Sequence, residues 1–273
     1  MISRPPIEER FPRPSVMGVV NVTPDSFSDG GVHLRTEAAV ATALGMLDAG
    51  AAIVDVGGES TRPGSIGVSP DEELRRVEPV LHALAGSPVS IDTSKAEVAR
   101  RALELGAELV NDVTALRGDP ELAGIAAEAN AYVCLMHMRG EPSTMQLDPV
   151  YEDVVSEVKS FLEERLAFAT REGIAEERIC LDPGVGFGKT VEQVFELVRR
   201  LPELVSIGRP VLVGLSRKRA LGRIMGDPEA TVGTTAASIG AAVAAYERGA
   251  TILRAHDVRE HVEALRAARA VIG

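Results

Sequence analysis

The chain has 273 residues, of which 45% are hydrophobic, and it carries a formal net charge of -11 at pH 7. This length and hydrophobic content suit one large α/β domain better than two small ones. The negative charge argues against nucleic acid or an anionic membrane as the main partner. An anionic small molecule is compatible with this charge only where its site is locally basic.

The N-terminus and the two cysteines indicate the compartment. No apolar segment approaches the roughly 20 residues that span a bilayer, and MISRPPIEERFPRP lacks the apolar core of a secretory signal. Cys134 and Cys180 each lie in an apolar run, as expected for buried thiols in a reducing compartment. We expect a soluble cytoplasmic protein, with residues 1–15 forming an extended arm before a single domain, 16–273.

The first apolar run is followed by a long polar loop. Val16–Val20 stops at Asn21, and the residues from Val22 to about Arg35 show no helical or strand pattern. The apolar run predicts a strand that is buried on both faces. Loops of this length inside compact domains are usually functional or disordered. A strand that ends in a polar side chain and a long loop is typical of an active-site edge.

Later segments repeat one unit, in which a helix end is followed by Gly-Ala, a short apolar run and polar residues. Its clearest copies are DAGAAIVDVGG (Asp48–Gly58), ELGAELVNDV (Glu104–Val113) and ERGATILRAHDV (Glu247–Val258). Weaker copies lead into Pro88–Asp92, Ala131–His137, Arg178–Asp182 and Pro210–Ser216. The glycine of each clear copy suits the left-handed position after a helix. With the first strand, these units predict about eight strands.

Helical patterns separate the strands. Apolar residues recur at i, i+4 and i+7 at Val40/Leu44/Leu47, Val154/Val158/Phe161, Val194/Leu197/Leu201 and Val258/Val262/Leu265. Strands that alternate with helices predict a parallel sheet with right-handed crossovers. Eight such units in about 250 residues have the size of a (β/α)8 TIM barrel. A doubly wound open sheet remains the alternative.

The long connections all follow strands. They are Val22–Arg35, Gly57–Pro70 and Met138–Pro149, whereas the connections from helix to strand are brief. The long loops therefore lie at the C-terminal ends of the strands, where barrel enzymes place their chemistry.

Polar residues follow each apolar run and fall into two groups. Asp92, Asn111 and Asp182 offer carboxylate and amide groups, which suit a flat heterocycle with an amino group beside a ring N–H. Arg62, Lys218, Arg254 and His256 form a second group that suits phosphate oxygens. A heterocycle carrying phosphates fits both groups. Asp55 and Asp112 also follow strands, and for them a turn or helix-cap role stays open.

Other site classes lack support. Val185–Thr190 ends like a phosphate-binding P-loop, but that motif requires glycine at position 183, which is Pro183. The histidines are scattered, so no metal cluster is predicted. The sequence has no GxSxG motif for an esterase-type nucleophile.

Seven motifs along the chain resemble those of dihydropteroate synthases. They are NVTPDSFSDGG (Asn21–Gly31), DVGGESTRPG (Asp55–Gly64), IDT (Ile91–Thr93), Asn111–Asp112, DPGVGFGK (Asp182–Lys189), SRKR (Ser216–Arg219) and RAHDV (Arg254–Val258). The resemblance implies a (β/α)8 barrel and usually a homodimer. It implies a transferase of folate biosynthesis that condenses 6-hydroxymethyl-7,8-dihydropterin diphosphate with p-aminobenzoate, with Mg2+ as cofactor. Such an enzyme is a target of sulfonamides.

The resemblance also implies residue roles. Pterin-binding residues would be Asp92, Asn111, Met136, Asp182, Phe187 and Lys218. Diphosphate-binding residues would be Asn21, Arg62, Arg254 and His256, with Asn21 helping to hold Mg2+. The p-aminobenzoate site would comprise Phe27, Thr61, Pro63 and Ser216, and the catalytic residues would be Asp92, Lys218 and Arg62.

Two alternatives share the pterin-binding residues. A methyltransferase-type barrel would pass a methyl group from a folate to a corrinoid protein, and it would not need the cationic group or the NVTPDSFSDGG loop. A non-catalytic pterin-binding paralogue should have lost residues that stand here, such as Thr61, Arg62, Ser216 and Lys218. Both alternatives are therefore disfavoured.

Overall fold

The structure of the chain is a computed structural model. It describes residues 4–23, 32–61, 64–65, 67–141, 144–147 and 149–272. The predicted site residues Phe27, Arg62 and Pro63 lie outside the described residues. Within the described residues, no helix is both long and apolar enough to cross a membrane.

Eight parallel strands form the sheet of the described chain. They are β1 (Ser15–Asn21), β2 (Ile53–Gly57), β3 (Val89–Asp92), β4 (Leu109–Asp112), β5 (Tyr132–Met136), β6 (Ile179–Asp182), β7 (Leu212–Val213) and β8 (Ile252–Ala255). Their order is β6-β5-β4-β3-β2-β1-β8-β7. A single parallel bridge between Leu181 and Val211 joins β6 to β7, so the sheet closes almost completely.

Helices alternate with the strands. They are α1 (Ile7–Arg10), α2 (Val32–Asp48), α3 (Pro70–Ala83), α4 (Ala96–Glu104), α5 (Leu122–Glu128), α6 (Val154–Arg171), α7 (Val191–Arg199), α8 (Leu201–Val205), α9 (Arg219–Ile224), α10 (Thr235–Glu247) and α11 (Val258–Ile272). The predicted (β/α)8 TIM barrel is confirmed. The open-sheet alternative is wrong, because the strands follow one another in chain order and the bridge between Leu181 and Val211 joins the two ends of the sheet.

Local signals in the sequence explain several boundaries. The side chain of Ser69 accepts a hydrogen bond from the backbone N–H of Glu72 (3.3 Å), and Pro70 opens α3 with acidic residues in its first turn. Gly50, Gly106 and Gly249 adopt φ values of 102°, 103° and 107°. A left-handed glycine therefore ends the helix before β2, β4 and β8, as the repeated unit predicted.

The buried face of α2 is centred on alanines rather than on Leu44. Leu44 is 44% exposed, whereas Ala39 and Ala43 are fully buried. Small residues allow α2 to pack closely on β1, where a Cβ on Gly18 would collide with Met46. The helix was predicted correctly, and of its three spaced apolar residues Val40 and Leu47 pack against the core, whereas Leu44 faces solvent.

The strands alternate between two apolar clusters. In β2, Val54 and Val56 pack outward against the helices, whereas Ile53 packs into the barrel. Asp55 and Gly57 lie two and four residues after Ile53 and therefore share its inward face. The inner side of the barrel thus changes from apolar at the N-terminal ends of the strands to polar at their C-terminal ends.

The segment before β1 closes the apolar end of the barrel. The expected extended arm is wrong over Ile7–Arg10, which forms the helical turn α1. Ile7 and Phe11 are fully buried in the inner cluster, and the ring of Phe11 contacts that of Tyr132 edge-on at 5.8 Å. Tyr132 Oη also donates a hydrogen bond to the carbonyl of Pro5 (2.7 Å). Apolar contacts inside the barrel therefore order this segment.

Phe11→Ala should lower the free energy of unfolding by about 3–5 kcal/mol, because it removes a fully buried ring and leaves a cavity. Urea unfolding followed by circular dichroism measures this loss. Val271→Ala is the control, since Val271 is 86% exposed and its truncation should change stability by less than about 0.5 kcal/mol. If Phe11→Ala lowers the free energy of unfolding by less than about 1 kcal/mol, the proposal that Phe11 closes the apolar end of the barrel is contradicted.

Candidate active site

The polar end of the barrel opens into a cavity of about 890 Å³. Its lining includes the predicted site residues Asn21, Thr61, Asp92, Asn111, Met136, Asp182, Phe187, Ser216, Lys218, Arg254 and His256. These residues come from distant parts of the sequence, and parallel strand ends bring them to one edge of the barrel. The structure therefore places every described residue of the predicted site around a single cavity.

A buried arginine joins the acidic and the cationic groups. Arg254 Nε donates to Asp55 Oδ2 (2.7 Å), and Arg254 Nη2 donates to Asp92 Oδ2 (2.9 Å). Asn111 Nδ2 also donates to Asp55 Oδ2 (2.8 Å). The predicted separation of two groups is therefore wrong for Arg254, because two neighbouring carboxylates on the barrel interior need a cation between them.

Asp55 and Asp112, for which a turn role stayed open, have different functions. Asp55 is fully buried and holds Arg254 and Asn111. Asp112 accepts hydrogen bonds from the backbone N–H groups of Thr114 (2.7 Å) and Leu116 (2.6 Å), so it stabilises the turn after β4. Asp55 belongs to the site, and Asp112 supports the local backbone.

Burial controls the acid–base properties of the carboxylates. It raises the pKa of Asp92, the negative charge of Asp55 raises it further, and Arg254 opposes both effects. Burial also raises the pKa of Asp182, against the backbone N–H of Gly184, which donates to Asp182 Oδ1 (2.7 Å), and against the charge of Lys218. A ligand with N–H donors would stabilise the charged form of Asp182.

The loop after β6 is fastened to the end of β5. A Cβ on Gly184 would collide with the carbonyl of His137, and Gly184 and Gly188 have φ values of 63° and 64°. Lys189, which is 1% exposed, donates through Nζ to His137 Nδ1 (2.9 Å) and to the carbonyl of Phe187 (2.9 Å). Lys189 therefore orders the loop that carries Phe187.

The P-loop interpretation of this segment stays rejected. Burial lowers the pKa of Lys189 to about 7, and its amine is engaged by groups of the protein. Thr190 caps α7, with its hydroxyl accepting from the backbone N–H of Gln193 (3.2 Å). The lysine and threonine therefore have structural functions here.

Lys218 lies beside the face of Phe187. Its Nζ is 4.2 Å from the centre of the Phe187 ring. Burial lowers the pKa of Lys218 to about 8, and the charge of Asp182 opposes this shift. A flat ring near Phe187 and Met136 would therefore lie between an ammonium group and the Asp182 carboxylate.

Ser216 and His256 form a pair at the ends of neighbouring strands. Ser216 Oγ lies 3.1 Å from His256 Nδ1, and the backbone N–H of His256 donates to Ser216 Oγ (3.1 Å). Burial, followed by the charge of Arg254, lowers the pKa of His256 to about 4. His256 is therefore neutral at pH 7, and its inclusion among the cations was wrong because it shares a buried site with an arginine.

An ion-pair cluster outside the cavity fastens the loop that contains Thr61. Lys95 pairs with both Glu59 and the fully buried Glu73. Glu59 Oε2 also accepts from the backbone N–H of Val68 (3.0 Å). The two ends of the segment 59–68 are thereby joined at the edge of the cavity.

The sequence analysis gave no role to three residues that line the cavity, Gln146, Lys189 and Arg219. Gln146 Nε2 donates to the carbonyl of Gly186 (2.7 Å), and Arg219 Nη2 donates to Gln146 Oε1 (2.7 Å). Lys189 belonged to the rejected P-loop motif and to the motif DPGVGFGK, in neither case with a role of its own. Gln146 could not be identified from the sequence, because it lies in a loop with no periodic pattern. Arg219 belongs to the SRKR motif, but no role was assigned to it.

The described residues contain no group of three or more His, Cys, Asp or Glu side chains that could hold a metal ion. Asn21, at the end of β1, lines the cavity and is partly exposed. Its amide oxygen is a hard ligand, and Mg2+ typically takes few protein ligands together with substrate phosphates and water. The donor set fits a Mg2+ ion that depends on the substrate for most of its coordination.

The model of the family described as pterin binding enzyme matches residues 17–256. The chain belongs to the pterin-binding enzyme family. Within it, a dihydropteroate synthase of Neisseria meningitidis serogroup C is 47% identical over 260 residues, covering 93% of this chain and 92% of that protein. The family assignment agrees with the resemblance seen in the sequence.

Two solved structures of the family have the same fold. The dihydropteroate synthase of Xanthomonas albilineans with 4-aminobenzoic acid has a TM-score of 0.88 and 48% identity, covering 96% of this chain and 94% of that one. The dihydropteroate synthase of Yersinia pestis in a sulfonamide drug complex has a TM-score of 0.87 and 44% identity, covering 95% and 94%. The similarity extends over nearly the whole barrel.

The amine of Lys218 should become half neutral near pH 8 rather than near 10.5, because burial disfavours its charged form. Pulse labelling with acetic anhydride between pH 6 and 10.5, read by mass spectrometry, reports this titration, with a lysine-containing model peptide in the same solution as reference. Asp182→Asn should move the midpoint to lower pH, since Asp182 stabilises the ammonium. A Lys218 midpoint above pH 10 would contradict the predicted shift.

Proposed function

We propose that the chain catalyses the condensation of 6-hydroxymethyl-7,8-dihydropterin diphosphate with p-aminobenzoate, giving 7,8-dihydropteroate and diphosphate for folate biosynthesis. The observation that carries this proposal is one cavity in which buried acceptor groups, Asp182 and Asn111, face the same space as Lys218 and Arg254. A pterin with a diphosphate substituent needs both kinds of group.

The pterin occupies the acidic end of the cavity. Asp182 accepts hydrogen bonds from its amino group and ring N–H, with Asp92 and Asn111 beside it. Phe187 packs against Met136 in a small apolar cluster, which supports placing the flat ring there. Lys218 reaches ring atoms from above Phe187. This end of the cavity therefore selects a ring with adjacent N–H donors.

The diphosphate lies near Asn21, Arg254 and His256, together with Arg62. Neutral His256 contributes hydrogen bonding rather than charge at pH 7, which leaves the arginines as the cationic groups. Asn21 would hold Mg2+, and the ion would supply further positive charge next to the diphosphate. These groups stabilise negative charge that develops as the leaving group departs.

The reaction proceeds without a protein nucleophile. The C–O bond to diphosphate breaks, the electron-rich dihydropterin carries the resulting cation, and the aryl amine attacks that carbon and releases a proton. The protein orients the amine and excludes water, which would otherwise capture the cation. Thr61 and Ser216 line the cavity. We assign the p-aminobenzoate site to these two residues together with Phe27 and Pro63.

The proposal also covers the compartment, the oligomeric state, the cofactor and the inhibitors of the enzyme. The enzyme is a cytoplasmic homodimer that uses Mg2+, and sulfonamides inhibit it by replacing p-aminobenzoate. Two free, buried cysteines support a reducing compartment, and the Yersinia pestis complex supports sulfonamide binding. Light scattering coupled to size-exclusion chromatography measures the oligomeric state, and a monomeric mass would overturn the dimer.

Diphosphate release should require p-aminobenzoate, dihydropterin diphosphate and Mg2+, and it should equal the dihydropteroate formed. A coupled phosphate assay and chromatography of the product measure both. Release without p-aminobenzoate would mean that water captures the cation. No release, despite tight binding of the pterin, would overturn the proposal in favour of a non-catalytic pterin-binding protein.

Asp182→Asn should weaken binding of the pterin diphosphate by about tenfold to hundredfold, because an amide cannot accept both N–H donors. Isothermal titration calorimetry measures the affinity, and circular dichroism confirms that the fold survives. Asp112→Asn provides a carboxylate control outside the cavity lining. Unchanged affinity in folded Asp182→Asn would contradict the assigned role.

A further inference from the structure

A closed circuit of hydrogen bonds joins the end of β5 to the loop after β6. The carboxylate of Asp182 accepts from the backbone N–H of Gly184 (2.7 Å), and the carbonyl of Gly184 accepts from the backbone N–H of Phe187 (3.0 Å). The carbonyl of Phe187 accepts from Lys189 Nζ (2.9 Å), which also donates to His137 Nδ1 (2.9 Å). The backbone N–H of His137 donates to the carbonyl of Asp182 (2.9 Å) and thereby closes the circuit.

Two members of the circuit face the proposed pterin. Asp182 and Phe187 both line the cavity, and we assign the edge of the pterin to the carboxylate and its face to the aromatic ring. A flat ligand makes both contacts only when these two groups keep a fixed position relative to each other. The circuit fixes that position, because it links Asp182 to Phe187 along two separate routes. One passes through Gly184, and the other passes through His137 and Lys189.

The ammonium group of Lys189 has more partners than any other group of the circuit. It donates to His137 Nδ1 and to the carbonyl of Phe187, and over a longer distance to the carbonyl of His137 (3.4 Å). An ammonium has three N–H donors, so each of them has an acceptor. Burial, followed by the charge of Lys189, lowers the pKa of His137 to about 2. The imidazole is therefore neutral, and its Nδ1 accepts the hydrogen bond from Lys189.

Lys189 acts on a ligand through its partners rather than by direct contact. It is 1% exposed, and its donors are directed to groups of the protein. Burial raises the pKa of Asp182, and the charge of Lys189 is one of the effects that oppose this rise. Lys189 therefore holds the carbonyl of Phe187 and also favours the ionised carboxylate that accepts the N–H groups of the pterin.

We propose that Lys189 is a positioning residue for the pterin, because its ammonium group closes the circuit that holds Asp182 and Phe187 in place; this inference rests on the proposed function. The other links of the circuit are made by backbone groups or by Asp182 itself. Substitutions at Lys189 and at its acceptor His137 therefore open the circuit, while every group assigned to the substrates stays in the chain.

Lys189→Met should weaken binding of dihydropterin diphosphate by about tenfold, because a side chain of similar length without donors opens the circuit. The KM for dihydropterin diphosphate should rise by a similar factor, with kcat changed less than about threefold, since substrate and transition state lose the same contacts. The KM for p-aminobenzoate at saturating dihydropterin diphosphate should change less than about twofold, because its site lies outside the circuit. Isothermal titration calorimetry and initial rates measure these quantities.

A pair of substitutions at His137 tests the circuit from its other side. His137→Leu removes the acceptor of Lys189 and should weaken pterin binding by about fivefold to tenfold. His137→Asn places an amide oxygen near the position of Nδ1, so its affinity should stay within about threefold of the wild type. Losses of equal size in the two variants would indicate lost packing of the imidazole and overturn the role of the hydrogen bond. If circular dichroism shows that Lys189→Met does not fold, this pair decides the proposal.

Lys159→Met is the matched control, because it makes the same substitution at a lysine of α6 that is not among the residues lining the cavity. Its affinity for dihydropterin diphosphate should stay within about twofold of the wild type. A folded Lys189→Met protein with wild-type affinity for the pterin would overturn the proposal. Equal increases of KM for both substrates would also overturn it, since they would indicate a general loss of structure around the cavity.

Failure of the proposed function is distinguishable from failure of this inference. A wild-type protein that binds dihydropterin diphosphate but forms no dihydropteroate contradicts the function, whatever Lys189 does. In that case, calorimetry with dihydropterin diphosphate alone still tests the circuit. Equal affinity of the wild type and folded Lys189→Met for this ligand overturns the inference.

Discussion

The site depends on the ion-pair cluster of Arg254, Asp55 and Asp92 at the floor of the cavity. Two carboxylates of neighbouring strands, one of them fully buried, share one guanidinium. Removing one partner of a buried ion pair costs about 3–5 kcal/mol, because the remaining charge is left uncompensated. The cluster therefore binds β2, β3 and β8 together at the height where the apolar interior ends.

This cluster also controls the electrostatics around it. Arg254 helps to keep His256 neutral, and Asp55 raises the pKa of Asp92. Each group at the floor is thus influenced by a neighbour on another strand. In a chain of net charge -11, Lys218 and Arg254 supply positive charge inside the cavity, where an anionic substrate needs it.

The second support of the site is the loop after β6. Two left-handed glycines, Gly184 and Gly188, allow its backbone to pack against His137 and Arg139, which follow β5. Lys189 holds the loop in place by donating hydrogen bonds to His137 and to the carbonyl of Phe187. The ring of Phe187 in turn lies against the ammonium group of Lys218. The floor and the loop together enclose a cavity in which the carboxylates Asp92 and Asp182 face the same space as Lys218 and Arg254.

The sequence by itself determined the barrel, the order of its strands along the chain and the positions of the polar strand ends. These features depend on local periodicity and on glycine turns, so Asp92, Asn111 and Asp182 were identifiable as a group. Only the tertiary structure decided which charged groups lie next to each other. It placed Arg254 between Asp55 and Asp92, and burial beside Arg254 made His256 neutral. It also showed that Asp112 stabilises a turn. It also buried the N-terminal segment. Burial and charge pairing depend on residues far apart in the chain, and local sequence patterns carry no information about them.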